Sequence, residues 1–586
     1  MKKIFFILHS SFFICCVTAT AVAQHQLDPR VVAMGKELPR GKVVSHDSRD
    51  EAIKGGVHSS KYLQPLTEWK RADRSNSVVY STRYKIPFEW LEREMFLHFG
   101  KVSGSFDVVI NGKLAGYSQT GSTPAEFDIT GASREGANEL EIVIYKEPIA
   151  QKLEDGRPAM SPQILGEVYV LSQPKMRVRD IFLNTRMEGA NGIMELGVIM
   201  KNHQLNTKEY RVYYELLSPR GEILSEGYRD ADLDMRREDT VRFFANIPRI
   251  MPWSHEDPRL YTLFVKTQHE GRFKEFLAFR IGFRELDYRG GLVFLNGTAL
   301  KLNVQRFTPT TDARQMRAQI EVLRAQGVNA LWLQGTPPSH ELYDICDELG
   351  VYVCNRADID THLSGNSRKV GGNPSNQPEW EGAYRDRLMS AYHTSKNSPS
   401  VVMFSLAENS ANGYNLYESY LALKALEKSR PVVYPEGREW NNDPINATAM
   451  KTLSYPDPGE QWATITADAP RGGLFIVHNL RHFTPVVGEV SYKILVGKKV
   501  VSEGFTAIEV LPQGDTNVAI PMNSVRENKK FRVLLEVAVP RLTTEYTPLP
   551  ATAERKVFAG EFPLTEGERV VIARGDFLVK KPKNEE

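Results

Sequence analysis

The 586-residue chain is poor in cysteine, with four in all, and two of these, Cys15 and Cys16, fall in an N-terminal stretch that does not belong to the fold. Cys346 sits in a helical pattern and Cys354 ends an apolar run, so both read as buried free thiols. An oxidising compartment would permit a disulfide between them, while a metal site would need more ligands nearby than the sequence shows. An excess of one charge is also lacking: 74 Lys and Arg stand against 72 Asp and Glu, a net of +2. Such a chain has no field to draw nucleic acid or an anionic membrane surface, and neither is an expected partner. After Val17 no apolar run is long enough to cross a bilayer, so no membrane span is expected. The run from Ile4 to Val17 follows Lys2 and Lys3 and precedes Ala21-Val22-Ala23, a small-residue cleavage site. It reads as a signal peptide over residues 1–23, with the mature protein secreted to a periplasm.

What is present is an ordinary globular balance, 41% hydrophobic and 25% charged, at a length that suits three to five domains. From about residue 60 to 172, apolar and polar positions alternate between frequent turn signals, the pattern of an antiparallel sandwich. Phe96-Leu-His-Phe-Gly100 and Phe106-Asp-Val-Val-Ile-Asn-Gly-Lys113 are expected as a strand pair, with Asn111-Gly112 supplying the positive φ of a hairpin turn. Residues 175–284 read as a second sandwich. The period then changes: Gln315 to Gln326 is helical, Val328 to Leu333 an apolar strand, Ser339 to Leu349 helical, and Val351 to Cys354 a strand. Strands alternating with helices imply parallel βα units. Alternation returns from about residue 470.

Val401-Val-Met-Phe-Ser-Leu-Ala-Glu-Asn-Ser410 concentrates the chemistry. Its apolar run ends abruptly in Glu408 and Asn409, as a buried parallel strand does when it delivers polar groups to the carboxyl end of a barrel.

Gly100-Lys-Val102, Ile110-Asn-Gly112, Pro124-Ala-Glu-Phe-Asp-Ile-Thr130 and Asn138-Glu-Leu140 resemble the N-terminal domain of glycoside hydrolase family 2, the family of β-galactosidases and β-glucuronidases. Trp253-Ser-His-Glu-Asp-Pro-Arg-Leu-Tyr261 and Ile281-Gly-Phe-Arg284 are similar to its immunoglobulin-like domain, and Gly473-Leu-Phe-Ile-Val-His-Asn479 to the second such domain of its longer members. The resemblance implies a multidomain chain in a fixed order. A jelly-roll β sandwich covers 24–174, an immunoglobulin-like sandwich 175–285, an incomplete TIM (β/α) barrel 286–465 and a second immunoglobulin-like sandwich 466–565. A remnant of a C-terminal sandwich domain follows at 566–586. It also implies a β-galactosidase-like protein of carbohydrate metabolism, with a β-galactoside-like glycan as partner and a possible homo-oligomer.

The barrel is short. A complete one takes about 250 residues and eight strands. Fewer than 190 residues separate residue 286 from residue 470, enough for strands near 301–304, 328–333, 351–354, 400–406, 431–434 and 448–454. The family's nucleophilic glutamate belongs to its seventh strand, and no matching motif lies between Thr452 and Gly472. The acid/base glutamate should follow an Asn, but here the order is reversed: Asn409 holds the acid/base position and Glu408 precedes it. Retaining hydrolysis needs two carboxyl groups about 5–5.5 Å apart, and an amide cannot act as the acid. The expected reading is a glycan-binding pseudoenzyme. The alternatives are an active O-glycosyl hydrolase using Glu408, with Glu436 and Glu439 as substitute carboxylates, or a scaffold whose barrel a partner chain completes. Ala357-Asp-Ile-Asp-Thr-His362 is similar to a family segment that binds Mg²⁺, so Asp360, His362 and Glu408 are candidate metal ligands although no cofactor is required. Trp332, His362 and Trp440 are candidate sugar contacts.

Overall fold

The computed structural model describes residues 25–154, 161–335, 337, 339–437, 442–446, 450–452, 465–467, 474–479, 481–519, 530–538 and 570–578. The first domain packs a six-stranded sheet on a four-stranded one. The Asn111-Gly112 turn, with φ of 50° and 79°, joins Phe106–Ile110 to Lys113–Ser118, since two residues with positive φ match the strand twist in so short a loop. The expected partner strand is elsewhere. Glu94–Phe99 lies in the opposite sheet, between Val168–Gln173 and Ala125–Asp128. Alternation alone does not say which sheet a strand joins. Between the sheets Phe99, Phe106 and Phe127 meet edge-to-face at 5.0 to 6.0 Å.

The second domain sets three strands, Met176–Glu188, Asn191–Asn202 and Glu238–Ile247, against four, with Val198, Val212, Leu263 and Val265 fully buried between them. Residues ahead of the first sandwich run as a strap across three domains. Arg40 binds Glu126 through two hydrogen bonds of 2.7 and 2.9 Å, Gly41 N–H donates to Asp180 Oδ1, and Lys36 pairs with Asp386.

The third domain is a parallel sheet of six strands among the described residues. These are β1 (Leu302–Phe307), β2 (Ala330–Leu333), β3 (Tyr352–Arg356), β4 (Val401–Ser405), β5 (Val432–Val433) and β6 (Met450–Thr452). Helices α1 (Ala313–Ala325), α2 (Glu341–Leu349), α3 (Glu381–Ser395) and α4 (Tyr414–Leu426) cover its outer face. Asp312 caps α1 through Arg314 N and Gln315 N, and α2 stops at Gly350, whose φ of 70° ends the helix. Inward-facing Leu302, Val304, Ala330, Tyr352, Cys354, Met403 and Val433 form a second apolar layer, as a barrel interior requires.

β6 does not follow β5 in space. It pairs in parallel with β1 on the far side, so the sheet opens between β5 and β6. At that opening the backbone of Val432 is already satisfied: its N–H donates to Asp443 Oδ2 at 2.9 Å and its carbonyl accepts from Asp443 N at 2.8 Å. Asp443 thus takes the place of a neighbouring strand at the edge, which blunts it.

The last sandwich has a three-stranded and a four-stranded sheet. Val570–Leu578, expected as the remnant of a separate domain, pairs antiparallel with Lys530–Ala538 and is the edge strand of this sandwich. The expected leader at 1–23, residues 453–464 and 468–473 where a seventh strand would be expected, and Trp440 and Glu439 lie outside the described residues.

Candidate active site

The carboxyl ends of β1, β3 and β4 converge on Glu408. Beyond the strands the chains continue as a narrow ribbon. Glu408 N–H donates to Ile359 O at 2.9 Å and Asp360 N–H to Leu153 O at 2.8 Å. The first domain thereby reaches the rim of the barrel, and there Glu154 pairs with buried Arg387 of α3 at 3.0 Å. The turn after β4 is pinned on all sides. Thr361 N–H donates to Ser410 Oγ at 3.1 Å, Ser410 Oγ–H to Glu408 O at 3.0 Å, and Ser410 N–H to Tyr434 Oη at 3.1 Å. Burial pushes the Tyr434 hydroxyl above its ordinary range, so it stays a neutral hydrogen-bonding group.

Glu408 and Asn409 point to different environments. The Glu408 side chain is 10% exposed, and Arg306 donates to Oε1 while Arg356 donates to Oε2. Arg356 is buried; Arg306 is 54% exposed on the open side. Asn409 is exposed, in the left-handed region at φ 46°, and its amide donates to Asp360 Oδ2 at 3.3 Å. A general acid must carry a proton on a carboxyl oxygen within reach of the leaving group. Both oxygens of Glu408 are occupied by guanidinium donors, and Asn409 has no proton of that kind to give.

Asp360 Oδ1 accepts from His362 Nδ1 at 2.9 Å, and the His362 side chain is 46% exposed. Of the candidate Mg²⁺ ligands, Glu408 has both oxygens on guanidinium groups, and Asp360 and His362 are joined through Oδ1 and Nδ1. Trp332 is 8% exposed, within the inner apolar layer, and presents no open ring face to a sugar. Glu436 is exposed beyond β5. Arg306 and Arg356, which decide the state of Glu408, were not singled out in the sequence. Their signal is a basic residue at the carboxyl end of an apolar run, Leu302–Phe307 and Val351–Arg356, in an alternating strand–helix segment.

A partial TIM barrel flanked by β sandwiches, with polar groups gathered at the carboxyl ends of its strands, defines the architecture of a sandwich-and-barrel glycosidase. Residues 50–174 match the family model "Glycosyl hydrolases family 2, sugar binding domain", residues 176–284 match "Glycosyl hydrolases family 2", and residues 293–464 match "Glycosyl hydrolases family 2, TIM barrel domain". The chain belongs to glycoside hydrolase family 2. It is 27% identical over 399 residues to a β-galactosidase of Priestia megaterium, covering 65% of this chain and 38% of that one. Against a β-galactosidase of Halalkalibacterium halodurans the identity is 30% over 372 residues, 61% of this chain and 36% of the other. It therefore spans less than half the length of these relatives. Among solved structures, a family 2 member from Bacteroides cellulosilyticus shares the fold at a TM-score of 0.55 and 13% identity, covering 80% of this chain and 82% of that one. Bacteroides uniformis β-glucuronidase 2 does so at 0.56 and 12%, covering 79% and 72%.

Proposed function

We propose that this protein binds a β-galactoside-like glycan at the carboxyl-end face of its partial barrel and does not carry out retaining hydrolysis. The observation that carries this reading is the pairing of both Glu408 oxygens with Arg306 and Arg356, while Asn409 stands at the acid/base position. A retaining glycosidase protonates the leaving oxygen with one carboxyl and attacks the anomeric carbon with another. Here Glu408 is held as a structural anion, and Asp360 is engaged by His362 and Asn409. What remains suits binding: exposed Asn409, the outer edge of His362 and half-exposed Arg306 offer donors to sugar hydroxyls beside a domain of the sugar-binding type. Asp443 at the β5 edge favours this reading over a scaffold completed by another chain, because Val432 needs no further partner. Export to the periplasm belongs to the proposal and rests on the leader pattern at 1–23.

The test is a panel of aryl β-galactosides and β-glucuronides with the purified mature chain, run beside calorimetric titration with galactosides and oligosaccharides. The expected outcome is heat of binding without product, with binding weakened in Arg306→Ala. Turnover that Glu408→Gln abolishes overturns the reading and establishes the hydrolase that uses Glu408.

A further inference from the structure

We propose that His255, Glu256 and His482 form a zinc site joining the first and second immunoglobulin-like sandwiches at the base of the barrel. The site is independent of the glycan face. His255 and Glu256 lie in the segment that closes the first immunoglobulin-like domain, and His482 in the loop after Leu474–Asn479 of the last. One ligand atom from each of the three lies within 4.8 Å of the other two.

The spacing points to an ion rather than to hydrogen bonds. His255 Nε2 is 3.6 Å from Glu256 Oε1, and His482 Nδ1 is 3.9 Å from the same oxygen. Both separations are too long for a hydrogen bond. The edge of a tetrahedron built on metal–ligand bonds of about 2.0–2.1 Å is about 3.3 Å, so these two edges need to close by about 0.3 and 0.6 Å for the atoms to share an ion. The two imidazoles are 5.5 Å apart between centroids and inclined at 72°, converging rather than stacked. His482 Nδ1 is buried and has no hydrogen-bond partner.

The surroundings supply what a ligating set needs. His255 Nδ1 lies 2.8 Å from Tyr352 Oη, so with its proton on Nδ1 the ring is oriented by the barrel and turns Nε2 to the site. The Glu256 carboxylate is fixed in advance. Oε1 accepts from His482 N at 2.6 Å; Oε2 accepts from Phe483 N at 3.0 Å, Thr484 N at 2.8 Å and the Thr484 hydroxyl. One cost is visible. Lys301 N–H donates to His482 Nε2 at 3.3 Å, and a metal on Nδ1 moves the ring proton to Nε2. That long bond is lost when the metal binds. Two imidazoles and one carboxylate suit Zn²⁺, with water as the fourth ligand, whereas Mg²⁺ requires near-octahedral oxygen. A second such group among the described residues, Glu94, Asp128 and His203, has the Arg177 guanidinium 3.5 Å from Glu94 and serves as the control.

The test uses the mature full-length chain, stripped with a chelator and titrated with Zn²⁺ and, in parallel, Mg²⁺. The expected result is one zinc per chain retained through dialysis, a higher melting temperature with zinc, and no response to Mg²⁺. His203→Phe should behave as wild type. His482→Phe, which keeps a ring beside His255 and Phe483, should bind zinc at least about 100-fold more weakly. Cobalt substitution gives an independent readout, since four-coordinate Co²⁺ shows intense visible bands. Failure of folded wild-type protein to retain zinc, or equal affinity in His482→Phe, overturns the proposal. Should His482→Phe fail to fold, the cobalt spectrum of the wild type decides, and an octahedral or absent spectrum counts against the site.

Discussion

Glu408 is held by two arginines of unequal burial, and this asymmetry yields a quantitative test of its role. The Arg356 side chain is 7% exposed and that of Glu408 10%, so their pair is buried. Removing one partner of a buried pair costs about 3–5 kcal/mol, because the other charge is left without compensation. Arg356→Ala also strips buried Asp358 of a cation 3.9 Å away, while Arg306 still covers one oxygen of Glu408. These act in opposite directions, and the expected loss is about 3 kcal/mol. Arg306 is 54% exposed, so Arg306→Ala should cost less than about 1 kcal/mol, as for a surface pair. Urea denaturation measures both, read as midpoint shifts at constant slope. Cycles with Glu408→Gln isolate the pairwise energies, expected above about 1.5 kcal/mol for Arg356 and below about 0.5 kcal/mol for Arg306. Equal losses for the two arginines, or an Arg356–Glu408 coupling near zero, would refute the view of Glu408 as a structural anion and return it to the set of groups available for chemistry.

Three further outcomes follow from other parts of the molecule. Burial pushes the Glu275 carboxyl up to about 7, against the lowering effect of Val178 N–H and the Thr267 hydroxyl. The folded state then binds a proton that the unfolded chain releases near its ordinary value, so stability falls as pH rises from about 4.5 to about 7. Glu275→Gln should remove up to roughly 3 kcal/mol of that decline, measured as the difference in urea stability between pH 5 and 7.5, and an unchanged slope would exclude Glu275 as its source. Arg40→Gln leaves Glu126 in a buried site with only His98, and should lower stability by about 3 kcal/mol, with the strap from 25 to 48 cleaved faster by protease. A Cβ at Gly350 would stand 2.6 Å from His255 O at a φ of 70°, so Gly350→Ala should cost at least about 2 kcal/mol. Gly56→Ala, with nothing within 4 Å, should be neutral within about 0.5 kcal/mol.

The strands of the barrel were legible because each is an apolar run bounded by polar residues, and burial on both faces writes that pattern directly. The Asn111-Gly112 turn was legible for a local reason too, since few residue pairs accept its backbone geometry. Pairing was less accessible. Which sheet Glu94–Phe99 joins, that Met450–Thr452 returns to β1, and that Val570–Leu578 completes a sandwich all depend on contacts remote in the chain. The site shows the same division more sharply. Period-two alternation puts Glu408 and Asn409 on opposite faces, but the strand ends at Ser405 and the backbone turns left-handed at Asn409, so the alternation no longer sets their directions. What sets them is the pair of arginines, 102 and 52 residues away, which the barrel alone brings to one carboxylate. The reversed Glu-Asn order is therefore more than an acid displaced by one position. It places an amide at the open face and gives the carboxylate a guanidinium partner from β1 and another from β3, so that Glu408 ties the ends of β1, β3 and β4 together.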